Sequence, residues 1–132
     1  MKIKTKRIYD PVARGDGVRV LVDRLWPRGL NKSDAKFDFW LKEIAPSAAL
    51  RKWFGHRPDR WAEFRNRYFR ELDRNPQTRA ELRAARKRNK SLTLLYAAHD
   101  SKCNHAVALS EYLFAEMKCA ATSRRNRSAA AT

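Results

Sequence analysis

The segment Asp23-Arg24-Leu25-Trp26-Pro27-Arg28-Gly29 places a carboxylate, two guanidiniums and an indole in one short stretch. Arg24 and Arg28 can each fork onto a phosphate or a carboxylate through paired N–H donors. Asp23 can orient one of them or act as a base, and Trp26 can stack on a base or sugar. The plainer alternative is an Asp–Arg pair that fixes a turn, with the tryptophan in the core. Two other pairs offer related chemistry, Tyr9-Asp10 and His99-Asp100. Asn104 is suited to capping a helix, and an anion can also rest on the open amides of such a helix's first turn. His56, in Phe54-Gly-His-Arg-Pro58, can serve as a general acid–base group or cap a neighbouring helix. The candidate catalytic residues are therefore Asp23, His56 and Asp10. The candidate ligand-binding residues are Arg24, Trp26, Arg28, Tyr9, Asp100 and Asn104.

Other constellations are weaker. Cys103 lies near a helix start in a basic chain, where a thiol can be activated, yet no Cys-x₅-Arg loop follows it. His99, Asp100, Cys103 and His105 are all possible metal ligands, but their spacing fits no standard zinc template. No glycine-rich phosphate loop or dinucleotide fingerprint is present. No metal or cofactor is expected, and nucleotide triphosphate hydrolysis and nicotinamide chemistry are set aside.

Positioning these groups calls for strands that end together. Residues 2–8 read as a short basic strand. Val18 to Leu25 reads as a buried one, since β-branched residues dominate it. The run Leu92-Thr-Leu-Leu-Tyr-Ala-Ala98 is apolar throughout, as in a strand covered on both faces. The short link between the first two strands leaves antiparallel neighbours or a reduced crossover open. Ser33 is placed to cap a helix over about 34–44, with Phe37, Trp40, Leu41 and Ile44 at helical spacing. Ser47 caps a second helix ending at Gly55. Helices over about 58–73, 76–89 and 105–118 follow, the first two opened by Pro58 and Pro76. This order gives an α/β fold: a small single domain, three-layer-like, with a short, mostly parallel sheet and several flanking helices. The domain is expected over 1–121, with 122–132 as a disordered basic tail. In open α/β sheets ligands gather beyond the strand carboxyl ends, so Tyr9-Asp10, Asp23-Arg24 and His99-Asp100 should meet at one edge.

The chain carries 30 Lys and Arg against 14 Asp and Glu, a formal net charge of +16. Such a field attracts polyanions. Fourteen of the basic residues lie in 51–90, against five acids. An arginine-rich helical surface there is the second functional reading: nucleic-acid binding, or simple interaction, without catalysis. The first is an anionic ligand, nucleotide or nucleic-acid-like, held at the strand ends. No long apolar run suggests a membrane span or leader, and the two cysteines form no disulfide framework. A reduced cytoplasmic setting is expected.

Several motifs together resemble domain-of-unknown-function family 488, in its YeaO-like branch. They are Arg7-Ile-Tyr-Asp10, Arg19-Val-Leu-Val-Asp-Arg-Leu-Trp-Pro-Arg-Gly29, Trp40-Leu-Lys-Glu43, Ala45-Pro-Ser47, Leu50-Arg-Lys-Trp-Phe-Gly-His56, Trp61, Phe64 and Tyr68, and Leu94-Leu-Tyr-Ala-Ala98 with Asp100 and Asn104. The resemblance spans about residues 3–115. It implies a small α/β protein and brings no assigned activity, substrate or cofactor. His99 stands where a lysine is commoner in that branch.

Overall fold

A computed structural model describes the backbone of residues 2–87 and 91–131, and the side chains of 3–86 and 91–118. Four strands, β1 (Lys2–Arg7), β2 (Val18–Leu21), β3 (Phe39–Trp40) and β4 (Ser91–Tyr96), form one sheet in the order β1-β4-β2-β3. Every pairing is parallel. β4 is therefore flanked on both sides, and its residues Leu92 to Tyr96 are buried. Of the two possibilities for the first connection, the reduced crossover is the one found: β1 and β2 are parallel and β4 lies between them.

Gly17 shows how closely the strands approach. Its φ is +64°, and a Cβ there would lie 2.2 Å from the Ser91 carbonyl oxygen. Only glycine fits this entry to β2.

The helices are α1 (Ala48–Phe54), α2 (Trp61–Asp73), α3 (Pro76–Lys87) and α4 (His105–Ala131), with short 3₁₀ turns at Arg14–Asp16, Lys42–Ile44 and Pro58–Arg60. Strand alternation sends Val18, Val20, Val22, Leu92, Leu94 and Tyr96 to one face of the sheet. There they join Leu50 and Phe54 of α1, Phe64, Tyr68 and Leu72 of α2, Leu82 of α3, and Leu109 and Leu113 of α4. The opposite face holds Leu21, Leu95 and Ile8 under Leu30, Phe37 and Trp40. The layer on that side is loop, not helix. The same face also buries Asp16 and Arg19, which pair with each other, while Lys6 reaches Asp16 at 3.1 Å. Burial pushes the Asp16 carboxyl up, but the Ala13 amide N–H, Lys6 and Arg19 more than offset this and hold it at about 2.

The helix expected over 34–44 does not form. Arg19 accepts the Asp38 N–H at its carbonyl (2.8 Å), the Leu21 carbonyl accepts the Leu41 N–H (3.0 Å), and the segment becomes the edge strand β3. Pairing to β2 overrides the helical spacing: Phe37 and Trp40 serve the loop-covered core and Ile44 the helical one. The Ser47 cap is as expected, its Oγ accepting the Leu50 N–H at 3.2 Å, and Gly55 ends α1 in the left-handed conformation. The end foreseen near residue 89 for α3 lies outside the described residues. α4 overruns its expected end at 118: its backbone is helical from His105 to Ala131, through most of the stretch 122–132 expected as a disordered basic tail. Alanine and arginine are strong helix formers, and no proline or glycine interrupts them.

Candidate functional site

The carboxyl ends of β1, β2 and β4 border one open cavity of about 1020 Å³. Tyr9, Asp23, Arg24, Trp26, Arg28, His56, Asp100 and Asn104 all line it, so most of the candidates do converge. Asp10 does not belong to the lining. Its carboxylate turns back to accept the Arg7 N–H at 3.1 Å, closing its own turn. A second cavity, of about 820 Å³, lies between the β2–β3 edge and α3; it carries Asp38 and Glu81 and none of the candidates.

Asp23 sits at the floor. One carboxylate oxygen accepts the Ala97 N–H at 3.0 Å, and the other lies 3.0 Å from His105 Nε2. That nitrogen is also 3.1 Å from the Val22 carbonyl. With two acceptors before it, Nε2 carries the hydrogen. The Asp23 carbonyl accepts the Trp40 indole N–H at 2.7 Å, which ties the strand exit to the edge strand. Asp23 is thus tied through its carbonyl and one carboxylate oxygen, while the other oxygen, buried beside His105, has no hydrogen-bond partner among the described residues.

The guanidiniums behave differently. Arg24 points its Nη2 and Nε at the Ala45 and Pro46 carbonyls, at 3.3 and 3.4 Å. Those carbonyls are themselves fixed from α2. Glu71 accepts from the Ser47 N–H (2.8 Å) and Ser47 Oγ (2.6 Å), and the buried Tyr68 hydroxyl donates to the Ile44 carbonyl at 2.7 Å. Across the cavity, Arg7 donates to the Ala97 and Ala98 carbonyls, both at 3.1 Å, and stacks 4.7 Å above the Tyr9 ring. The Tyr9 hydroxyl donates to the Arg28 carbonyl at 2.7 Å. Arg51 on α1 also lines the cavity. Among the described residues, none of these four guanidiniums has a carboxylate partner.

The remaining candidates take structural roles. Asn104 is buried and caps α4: its Oδ1 accepts the Val107 N–H at 3.0 Å while its Nδ2 donates to the Asp100 carbonyl at 2.8 Å. The Asp100 carboxylate accepts the Cys103 and Lys102 N–H groups, which hold it below the usual carboxylate range. Burial, reinforced by Asp100, pushes the Cys103 thiol up, which argues against the activated nucleophile. Trp26 donates its N–H to the Leu30 carbonyl at 2.7 Å and packs edge-on to Phe37 and Trp40. His56 is exposed at the rim with φ +57°. A left-handed non-glycine residue costs about 1 kcal/mol or more and clusters at functional sites. Among the described residues no three His, Cys, Asp or Glu side chains gather to hold a metal, and no helix is long and apolar enough to cross a membrane.

Arg7 and Arg51 were not among the candidates. Arg7 closes the first strand beside Tyr9-Asp10, and Arg51 follows the Ser47 cap by one helical turn. Both signals were in the sequence, but only the fold joins them.

Fold and cavity together define a small parallel α/β protein with an arginine-lined hollow at its strand carboxyl ends. Within that class the chain belongs to the family described as the inactive DUF488-N3 subclade, whose model matches residues 2–131. It is 46% identical over 113 residues to the uncharacterized protein YeaO of Escherichia coli K12, covering 86% of this chain and 97% of that one. It is 38% identical over 112 residues to the uncharacterized protein Rv3073c of Mycobacterium tuberculosis H37Rv, covering 85% and 93% respectively. No solved structure matches the chain.

Proposed function

We propose that this protein binds a phosphate-bearing anion in the strand-end cavity and does not turn it over. One observation carries the reading. Arg7, Arg24, Arg28 and Arg51 line a single cavity, and none is neutralised by a carboxylate among the described residues. The Arg7 and Arg24 guanidiniums, held by carbonyls, are fixed in place yet keep their charge for a phosphate. The start of α4 adds the positive end of a helix dipole at the same floor.

The non-catalytic half rests on chemistry and kinship. One Asp23 oxygen is taken by the Ala97 N–H and the other faces the His105 ring, and burial raises the Cys103 thiol. The family's description as inactive agrees. In this reading Asp23 positions the floor instead of serving as a base.

Calorimetric titration of the full chain with inorganic phosphate and with adenosine monophosphate tests it. Binding should fall by about tenfold or more in Arg28→Ala, since a hydrogen bond to a charged group contributes about 1.5–3 kcal/mol. Binding that keeps its affinity in Arg28→Ala and Arg24→Ala, and weakens only with salt, would instead assign the anion to the outer helical surface.

A further inference from the structure

We propose that the groove between β3 and α3 docks an extended segment of a partner protein that carries a lysine or an arginine. This surface lies apart from the anion cavity and does not depend on it.

The sheet supplies one wall. β3 is an edge strand, and among the described residues no strand pairs with its outer side. Strand alternation sends Trp40 to the loop-covered core and leaves Phe39 and Leu41 toward α3. Phe39 remains 47% exposed, so this wall is apolar and uncovered. The helix supplies the other wall. Glu81, Ala84 and Ala85 share one face of α3 by their spacing, and the two short alanines leave a space of about 820 Å³. An open sheet edge is where an extended peptide can add as a further strand. Main-chain bonds then hold it, and pockets for alternate side chains select it.

Charge names the occupant. The chain carries a formal +16. Yet the groove is bordered by two carboxylates, Asp38 and Glu81, and by no lysine or arginine among the described residues. The cations of α3 are drawn away from it: Arg79 and Arg83 turn to Glu116 on α4, at 2.6 and 4.0 Å. Glu81 has no ion-pair or hydrogen-bond partner among the described residues. Asp38 accepts the Arg19 N–H at 2.8 Å through one oxygen, which fixes its direction and leaves the other oxygen open. Apolar walls beside two unpaired carboxylates match a side chain with an aliphatic stem and a cationic head. A second copy is a poor occupant, because two chains of +16 repel each other. A less basic protein presenting a lysine or arginine on an extended segment satisfies both the charge and the free edge.

Fluorescence anisotropy on the full-length chain at physiological salt tests this. The probes are a labelled heptapeptide, Thr-Thr-Val-Lys-Val-Thr-Thr, and its counterpart with norleucine in place of lysine. The lysine peptide should bind about fivefold or more tighter. Glu81→Gln and Asp38→Asn should each weaken it about threefold and leave the norleucine peptide unchanged. Both variants should fold, since Glu81 is exposed and an amide oxygen at position 38 still accepts the Arg19 N–H, and circular dichroism checks this. Equal affinity of the two peptides, a lysine preference that survives both substitutions, or failure of both peptides to bind at millimolar concentration overturns the proposal. Spermidine that displaces the lysine peptide at equal concentration assigns the groove to a small cation. Sedimentation that shows a dimer, dissociated by Glu81→Lys, assigns it to a second copy. Either result also overturns the partner segment.

Discussion

Arginine plays opposite parts in two regions of this molecule. Along the helices and behind the sheet, guanidiniums meet carboxylates. Arg65 pairs with Glu111, Arg67 with Glu63 at 3.0 Å, Arg79 with Glu116 at 2.6 Å, and buried Arg19 with Asp16. At the strand ends the partners are carbonyl oxygens: Ala97 and Ala98 for Arg7, Ala45 and Pro46 for Arg24. A carboxylate fixes a guanidinium and cancels its charge. A carbonyl fixes it and leaves the charge available. The formal +16 is therefore a poor guide to where an anion would go. The arginine-rich stretch 51–90, which invites a nucleic-acid reading, neutralises several of its cations internally.

The contrast can be broken most forcefully at the buried pair. Asp16→Ala leaves Arg19 in the interior without its carboxylate, at a cost of about 3–5 kcal/mol. Chemical denaturation should show this loss, whereas Arg28→Ala should stay within about 0.5 kcal/mol of the parent. Equal losses would erase the distinction between the regions.

Acid probes the same carboxylate. Its pKa falls from 3.8 to about 2 on folding. A lowered folded value means stability that is complete above 3.8 and lost as pH drops through about 2. The contribution is roughly 2 kcal/mol. Denaturation midpoints followed downward from pH 5 should decline in this window, and less so in Asp16→Asn.

Binding sharpens the comparison further. Glu71 touches no part of the cavity but fixes Ser47, beside the carbonyls that hold Arg24. Glu71→Gln should weaken phosphate binding by about 0.5–1.5 kcal/mol, with Arg28→Ala as the larger reference. Phosphate affinity unchanged by Glu71→Gln would show that Arg24 needs no such anchoring. The smallest effect belongs to Arg67→Ala. An exposed pair four residues apart on a helix contributes about 0.3–0.5 kcal/mol, and its loss should leave anion affinity unaltered.

Much of this was legible in the residues. The run from Leu92 read as a covered strand, which holds through Tyr96, and Asp23-Arg24 at the end of another marked the cavity edge. Ser47 and Gly55 announced both ends of α1 through capping chemistry, which is local. What failed was non-local. Phe37, Trp40, Leu41 and Ile44 satisfy a helical spacing, yet the free edge of β2 claimed the segment, a competition that periodicity cannot register. Strand order was equally hidden, since nothing in Lys2–Arg7 names Ser91–Tyr96 as its neighbour. Without that order Arg51 counted only toward the basic helical surface, Arg7 stayed a residue of the first strand, and Asp10 looked like a cavity residue.

That remote pairing has a consequence for biogenesis. Among the described residues, the first strand's one partner in the sheet lies some ninety residues downstream. A ribosome must therefore extrude Ser91–Tyr96 before the opening segment can dock, and until then its backbone amides wait in water. Distant contacts of this kind slow folding and prolong exposure to aggregation. The hollow bordered by Arg7 and Tyr9 is among the last features to be assembled, so a truncated or stalled product carries no complete version of it.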